Sequence, residues 1–296
     1  MKKIPLTYLP CGRPIPDEWL VTLFAEFAAN GAENIAVNER MAEKFLTEPR
    51  YYALLDRVAR ETGLRLFEIH APFGECWDLN SSLSARRQKM IEDHIRVMDY
   101  AAAIGCRTYV IHVGAWDCIF RPEITLEKMR ELARDALEKL LPAAEKAGII
   151  IAVENSFEMS NAPDEVLYLL NSFDSPNLGC CFDTGHANYM APAPDGRPKA
   201  YSDYQANKAW RGHLVQEPAA LKKLLPHIVT CHIHDNNGLG DQHHLPGRGT
   251  IDWKTLMPEL LGAPRLISCQ SEVGFLLHNI SVRELCATMS ALVEGR

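Results

Sequence analysis

The sequence predicts a single (β/α)8 barrel, and three observations carry that prediction. Eight short apolar runs alternate with longer stretches of helical period along the whole chain, the pattern of repeated βα units around a parallel sheet. The 296 residues suit one barrel of roughly 250 residues with insertions. No linker, low-complexity tract or shift of composition marks a boundary, so one domain is expected over 1–296.

In chain order, an apolar run at 4–9 precedes a helical stretch at 16–29 that closes at Gly31, and a second run at 34–37 precedes one at 49–62 that closes at Gly63. The third run, 64–70, leads to a helix at 85–104 ending at Gly105, and the fourth, 108–113, to a helix at 126–147 ending at Gly148. Glycine is the residue expected at such left-handed helix ends. Runs at 149–154, 178–183, 228–234 and 266–272 complete the strands, with helices at 164–171, 207–224, 253–261 and 282–293 between and after them. Ser281 with Glu284 forms a capping-box pattern opening the last helix. The one irregular insertion, 191–204, is rich in Pro, Gly and Tyr and follows the sixth strand, where a loop would lie over the mouth as a lid or decorate the surface.

A hydrophobic share of 47% and a charged share of 23% are those of a globular protein with ample core material. The formal charge of −7 argues against a broad phosphate-binding surface and leaves room for a local basic groove. The start, Met1-Lys2-Lys3-Ile4-Pro5, lacks the apolar core of a signal peptide, and no apolar run approaches the roughly 20 residues of a membrane span, so a cytoplasmic location is expected. Nine scattered cysteines without a Cys-x-x-Cys pair read as small hydrophobes in a reducing compartment.

The chemistry lies at the strand ends. The third strand ends at His70, the fourth at His112, the fifth at Glu154, the sixth at Asp183-Thr184-Gly185-His186, the seventh at His232-Ile233-His234-Asp235, and the eighth at Glu272. Asp241-Gln242-His243 follows the seventh strand closely. A lone histidine after a strand is usually a hydrogen-bonded core residue, but six consecutive strands closing this way converge on one barrel mouth. So many carboxylates and imidazoles together are costly without a shared cation, which points to metal. Imidazole and carboxylate without thiolate suit zinc, manganese, iron or cobalt better than calcium.

The succession His70-Ala-Pro, His112-Val-Gly, Val153-Glu154-Asn155, Asp183-Thr-Gly-His186, His232-Ile-His-Asp235, Asp241-Gln-His243 with Gly247-Arg-Gly249, and Glu272 resembles the xylose isomerase-like TIM-barrel superfamily. That superfamily holds sugar isomerases and epimerases, dehydratases, and apurinic-site endonucleases of the endonuclease IV type. The epimerase branch implies one divalent ion (Mn, Zn or Co) on Glu154, Asp183, His232 and Glu272, with His234 an alternative on the same strand face. The endonuclease branch implies a trinuclear zinc cluster that adds His70, His112, His186, Asp241 and His243.

The expected function is a sugar or sugar phosphate isomerase or epimerase working through an enediolate, with Glu154 and Glu272 as acid and base. His70, His112, His186, His234, Arg248, Phe73, Trp77 and Trp116, with Phe157, are the expected substrate contacts. The alternative is an apurinic-site phosphodiesterase, and only under it is nucleic acid a partner. Arg13, Arg40, Arg86, Arg87 and Lys89 are its nearest cations, and they form no stripe with aromatics. A homo-oligomer is compatible with the sequence, which does not specify one.

Overall fold

Each of the eight apolar runs forms a strand in the computed structural model, which describes residues 4–295 apart from 49, 194, 197, 198 and 200–203. The strands are β1 (Leu6–Tyr8), β2 (Asn34–Val37), β3 (Arg65–His70), β4 (Thr108–Ile111), β5 (Ile150–Glu154), β6 (Leu178–Asp183), β7 (Ile228–Ile233) and β8 (Cys269–Ser271). All pair in parallel and in sequence order, and β1 against β8 closes the barrel. Register slips between β2 and β3 and between β6 and β7 supply part of the stagger that closure requires.

Around the barrel run α1 (Leu20–Ala29), α2 (Glu39–Thr47), α3 (Tyr51–Glu61), α4 (Ser84–Ala103), α5 (Trp116–Phe120), α6 (Leu126–Ala147), α7 (Pro163–Asn171), α8 (Thr184–Met190), α9 (Tyr204–Ala209), α10 (Ala220–Leu224), α11 (Trp253–Leu261) and α12 (Val282–Val293). The main core lies between barrel and helices, with Phe24, Phe27, Phe45, Tyr109, Leu137 and Phe182 fully enclosed. The glycines expected at helix ends, Gly31, Gly63, Gly105 and Gly148, all have positive φ. Ser281 Oγ accepts from Glu284 N at 3.1 Å, as the capping box requires.

Inside the barrel, below the mouth, sits the fully buried Glu68. Its carboxylate accepts hydroxyl hydrogen bonds from Thr108 (3.0 Å), Thr230 (2.6 Å) and Ser268 (2.7 Å), and from Thr7. One side chain on β3 therefore gathers groups from β1, β4, β7 and the approach to β8, so the charge is solvated by hydroxyls instead of water.

The expected helix at 207–224 is a correction: it is two short helices, α9 and α10, with irregular chain between them. Arg211 and Gly212 both take positive φ, and tertiary bonds hold them there. Trp210 Nε1 donates to Phe157 O at 2.7 Å, and Arg211 donates to the carbonyls of Asp117 and Arg121. Helices α2, α5 and α8 were not expected. α2 had a readable signal, since Asn38 caps it by accepting from Met41 N at 2.9 Å. Much of the insertion at 191–204 lies outside the described residues, and the lid expectation with it. Lys199 within it donates to Asn188 O at 2.7 Å.

Candidate metal centre

The strand ends deliver their side chains to one mouth. His70, Glu154 and Asp183 are the last residues of β3, β5 and β6; His112, His234 and Glu272 follow β4, β7 and β8 directly; His232 lies one residue inside the end of β7. Asp183 both ends its strand and caps α8, its Oδ1 accepting from His186 N at 2.6 Å, which fixes His186 one turn beyond it. Asn155 ties the ends of β5 and β6 together, donating to Asp183 O (3.1 Å) and accepting from Asp183 N (3.0 Å).

At the centre, ligand atoms of Glu154, Asp183, His232 and Glu272 all lie within 4.8 Å of one another, and all four residues are buried. His232 Nδ1 stands 3.1 Å from Glu272 Oε2, 3.3 Å from Glu154 Oε1 and 3.7 Å from Asp183 Oδ2. Glu154 turns its other oxygen the opposite way, 3.2 Å from His112 Nε2 and 3.5 Å from His70 Nε2. A further group, His234, Asp241 and His243, forms on the loop after β7, with His186 Nε2 3.4 Å from Asp241 Oδ2.

Backbone carbonyls settle which nitrogens face inward. A carbonyl only accepts, so Nδ1 of His70 (to Ala71 O, 2.8 Å), His186 (to Asn155 O, 3.0 Å) and His243 (to Glu272 O, 2.8 Å) carries the proton. Each Nε2 then faces the carboxylates of the mouth, as a proton donor to them or, once deprotonated, as the nitrogen that would ligate a metal. His234 is placed differently: Nε2 lies 3.0 and 3.1 Å from the two Asp183 oxygens, and its ring stacks on His243 at 4.0 Å. Gly185 makes this possible, since a β-carbon there would fall 2.0 Å from His234 Cε1.

Carboxylates and imidazoles in the mouth hold one another charged. Burial alone would raise the Glu154 carboxyl, yet the imidazoles of His232 and His112 outweigh it and hold it well below the usual carboxylate range. Asp241 is likewise held well down against burial by His243 and His186. Conversely, burial disfavours the charged imidazoles, but neighbouring carboxylates carry His186 well above the ordinary histidine value and His243 to about 10, and Cys181 with Glu154 and Glu272 carries His232 well above it.

The residues fit such an ion. Both Glu154 oxygens, Glu272 Oε2, Asp241 Oδ1 and both His232 nitrogens are buried without a well-formed hydrogen bond, which is expensive unless a cation satisfies them. Their chemistry, imidazole plus carboxylate, is that of a first-row divalent metal.

The expected substrate contacts divide. Phe73, half exposed, stacks face to face on His112 (5.0 Å between centroids) and meets the His70 ring edge-on. Phe157 meets the edge of His186 at 5.8 Å, and Trp116 packs on Phe120 at 4.3 Å. Trp77 donates its indole N–H to Glu43 Oε1 (3.1 Å) and packs its ring on His94. The half-exposed guanidinium of Arg248 pairs with Glu284 at the start of α12. Of the cations considered for nucleic acid, Arg87 is spent on the carbonyls of Leu79, Ser81 and Leu132 and on Asp135. Lys89 pairs with Asp93, and Arg40 lies 3.5 Å from Glu39.

Two residues near the centre escaped the sequence reading. Cys181 joins Glu154 and His232 in a third compact, fully buried group, and Glu158 is a buried carboxylate on the β5 loop bonded to Asn161. The acidic residue four beyond Glu154 was a signal for the second; Cys181 gave none that separated it from the other core cysteines. All nine cysteines are unpaired, and seven are buried.

Residues 23–272 match the family described as xylose isomerase-like TIM barrel. An uncharacterized protein of Methanocaldococcus jannaschii, MJ1311, is 28% identical over 215 residues, covering 69% of this chain and 64% of that protein. The chain thus spans less than two thirds of that relative's length. Among solved structures, D-allulose 3-epimerase from Methylomonas sp. superposes with a TM-score of 0.71 at 16% identity, covering 100% of this chain and 98% of that one. The IolI protein with a bound zinc atom superposes with a TM-score of 0.69 at 15% identity, covering 99% of both chains. Among the described residues, no helix is long and apolar enough to cross a membrane.

Proposed function

The chain belongs to the xylose isomerase-like TIM-barrel family, and on that premise we propose that it is a metal-dependent isomerase or epimerase of a carbohydrate, with Glu154 and Glu272 exchanging the proton. One observation carries this reading: two buried glutamates from β5 and β8 converge with Asp183 and His232 on a single four-ligand position. Epimerases among the structural neighbours support it. The zinc in the IolI structure supports a divalent metal here, and the ligand set suits manganese, zinc and cobalt.

A divalent ion on these four residues would supply Lewis-acid polarisation of a substrate carbonyl and its neighbouring hydroxyl. Each glutamate has a second oxygen for proton transfer at carbon, and the imidazoles hold both carboxyls in the ionised, basic form. His186 and His112 line the approach as hydrogen-bonding groups, while Phe73 and Phe157 give the apolar wall on which the carbon face of a sugar packs.

A second reading has its own observation. Glu154 offers one oxygen to His70 and His112 and the other to His186 and His232, so its two oxygens would serve two separate groups of ligands. A site filled that way would suit phosphodiester hydrolysis at apurinic DNA.

Metal analysis paired with ketose turnover and abasic-DNA incision separates the two. About one ion per chain with ketose turnover supports the isomerase, and close to three zincs with DNA incision overturns it. In the same assay Glu154→Gln and Glu272→Gln should each abolish ketose turnover. Near-normal turnover by either variant with metal bound would remove its proton-transfer role.

A further inference from the structure

Between β7 and α11 the chain runs from His234 to Asp252 with no element of its own beyond one isolated bridge, yet it presents Asp241 and His243 to the mouth. Something must hold two ligand-type side chains on so long a loop. His243 sharpens the question, because it holds φ 50°, a left-handed conformation that a histidine keeps only when its surroundings impose it.

Gly274 N fastens the His243 carbonyl to the β8 loop at 2.9 Å, and from the next residue onward the fully buried Asp235 holds the rest of the loop. Its Oδ1 accepts from Asn236 N (2.9 Å) and Ile251 N (3.3 Å), and its Oδ2 from Gly247 N (2.9 Å) and the indole of Trp253 (2.9 Å). Its backbone exchanges two 2.8 Å hydrogen bonds with His244, the residue after His243. One carboxylate thus ties the start of the loop to its return at 247, 251 and 253. The glycines of Gly247-Arg248-Gly249 find their reason here, since a β-carbon on Gly249 would lie 2.2 Å from Asp235 Oδ1. Gly247 turns its amide to the same carboxylate at φ 86°. The glycine pair serves an internal anion.

We propose that Asp235 is the positioning residue for the Asp241–His243 pair, closing the β7 loop into the one shape that aims both side chains at the mouth. The proposal rests on the metal-site reading only in that it assigns the pair an ion separate from the one on Glu154, Asp183, His232 and Glu272.

Two variants of the full-length chain test it. Asp235→Asn keeps the shape but turns an amide group toward N–H donors, and Gly249→Ala presses on the carboxylate from the other side. In metal-free protein, hydrogen exchange at His244, Gly247 and Ile251 should accelerate about tenfold or more in both, while amides of β5 and β6 keep their wild-type protection. Zinc titration against a chromophoric chelator should show a weaker outer phase falling by about 10- to 100-fold with the inner phase unchanged. Unchanged loop exchange, or equal losses in loop and barrel and in both phases, overturns the proposal. A single zinc phase in the wild type retires the outer ion, and selective loop exchange would then still establish the positioning role.

Discussion

Gly185→Ala is the substitution whose consequence the structure fixes most closely. The added methyl would sit 2.0 Å from His234 Cε1 and 2.4 Å from Nδ1, whereas nonbonded carbons rest at about 3.5–4.0 Å. The ring must therefore move by roughly 1.5 Å on that scale. It has nowhere easy to go, being fully buried, bonded to both Asp183 oxygens and stacked on His243. Overpacking costs about 1–3 kcal/mol, and loosening a buried charge-assisted hydrogen bond about 1.5–3 kcal/mol. A loss of about 2.5–6 kcal/mol in urea unfolding of metal-free protein is expected from the two together. Zinc affinity should fall by about 10- to 100-fold, since Asp183 loses the group that orients it. Alanine is otherwise the better helix former by about 1 kcal/mol, so in a His234→Ala background the same change should be neutral or stabilising. An equal cost in both backgrounds would show that the clash with His234 is not the cause.

The remaining predictions concern protons. His94 is buried, accepting from Tyr109 Oη and donating to Trp77 O, and burial lowers its pKa to about 4. A lowered histidine value means that the unfolded chain binds the extra proton first. Stability is therefore complete above the unfolded value of about 6.5 and declines by roughly 3 kcal/mol as pH falls to 4. His94→Gln should flatten that part of the pH–stability curve measured by urea unfolding, and an unaltered slope would refute the assignment. Metal loading should release protons near pH 7, because His186 and His243 are held protonated by carboxylates that a metal would neutralise. Calorimetry in two buffers of different ionisation enthalpy would detect this, and identical heats in both would contradict it.

The barrel was legible because strands and helices announce themselves by period and by the glycines that end them. Gly148 and Ser281 do in the structure what their positions implied. The ligand-type residues were legible for a related reason: closure of the barrel turns the end of each strand toward one point, so position along the strand stands in for position in space. Side-chain direction off the strands was not legible. Trp77 and Arg248 follow the same strands as Phe73 and His243, yet pair with Glu43 and Glu284. Gly185, Gly249 and Asp235 carry meanings that exist only between segments: a ring from β7 packed on a glycine after β6, and a carboxylate wrapped by a loop that returns to it. The break at Arg211 and Gly212 was hidden likewise, since its cause is Phe157 and Asp117 far away in the chain.

The central claim is that two glutamates move a proton at a sugar carbon beside a metal-held carbonyl, and solvent deuterium reads that step without knowledge of the product. Metal-loaded protein incubated in deuterium oxide with a panel of free and phosphorylated ketoses should place deuterium at the carbon next to the carbonyl of at least one. The exchange should be lost in Glu154→Gln, in Glu272→Gln and on chelation. Metal-loaded protein that exchanges no ketose while incising abasic DNA would contradict the claim.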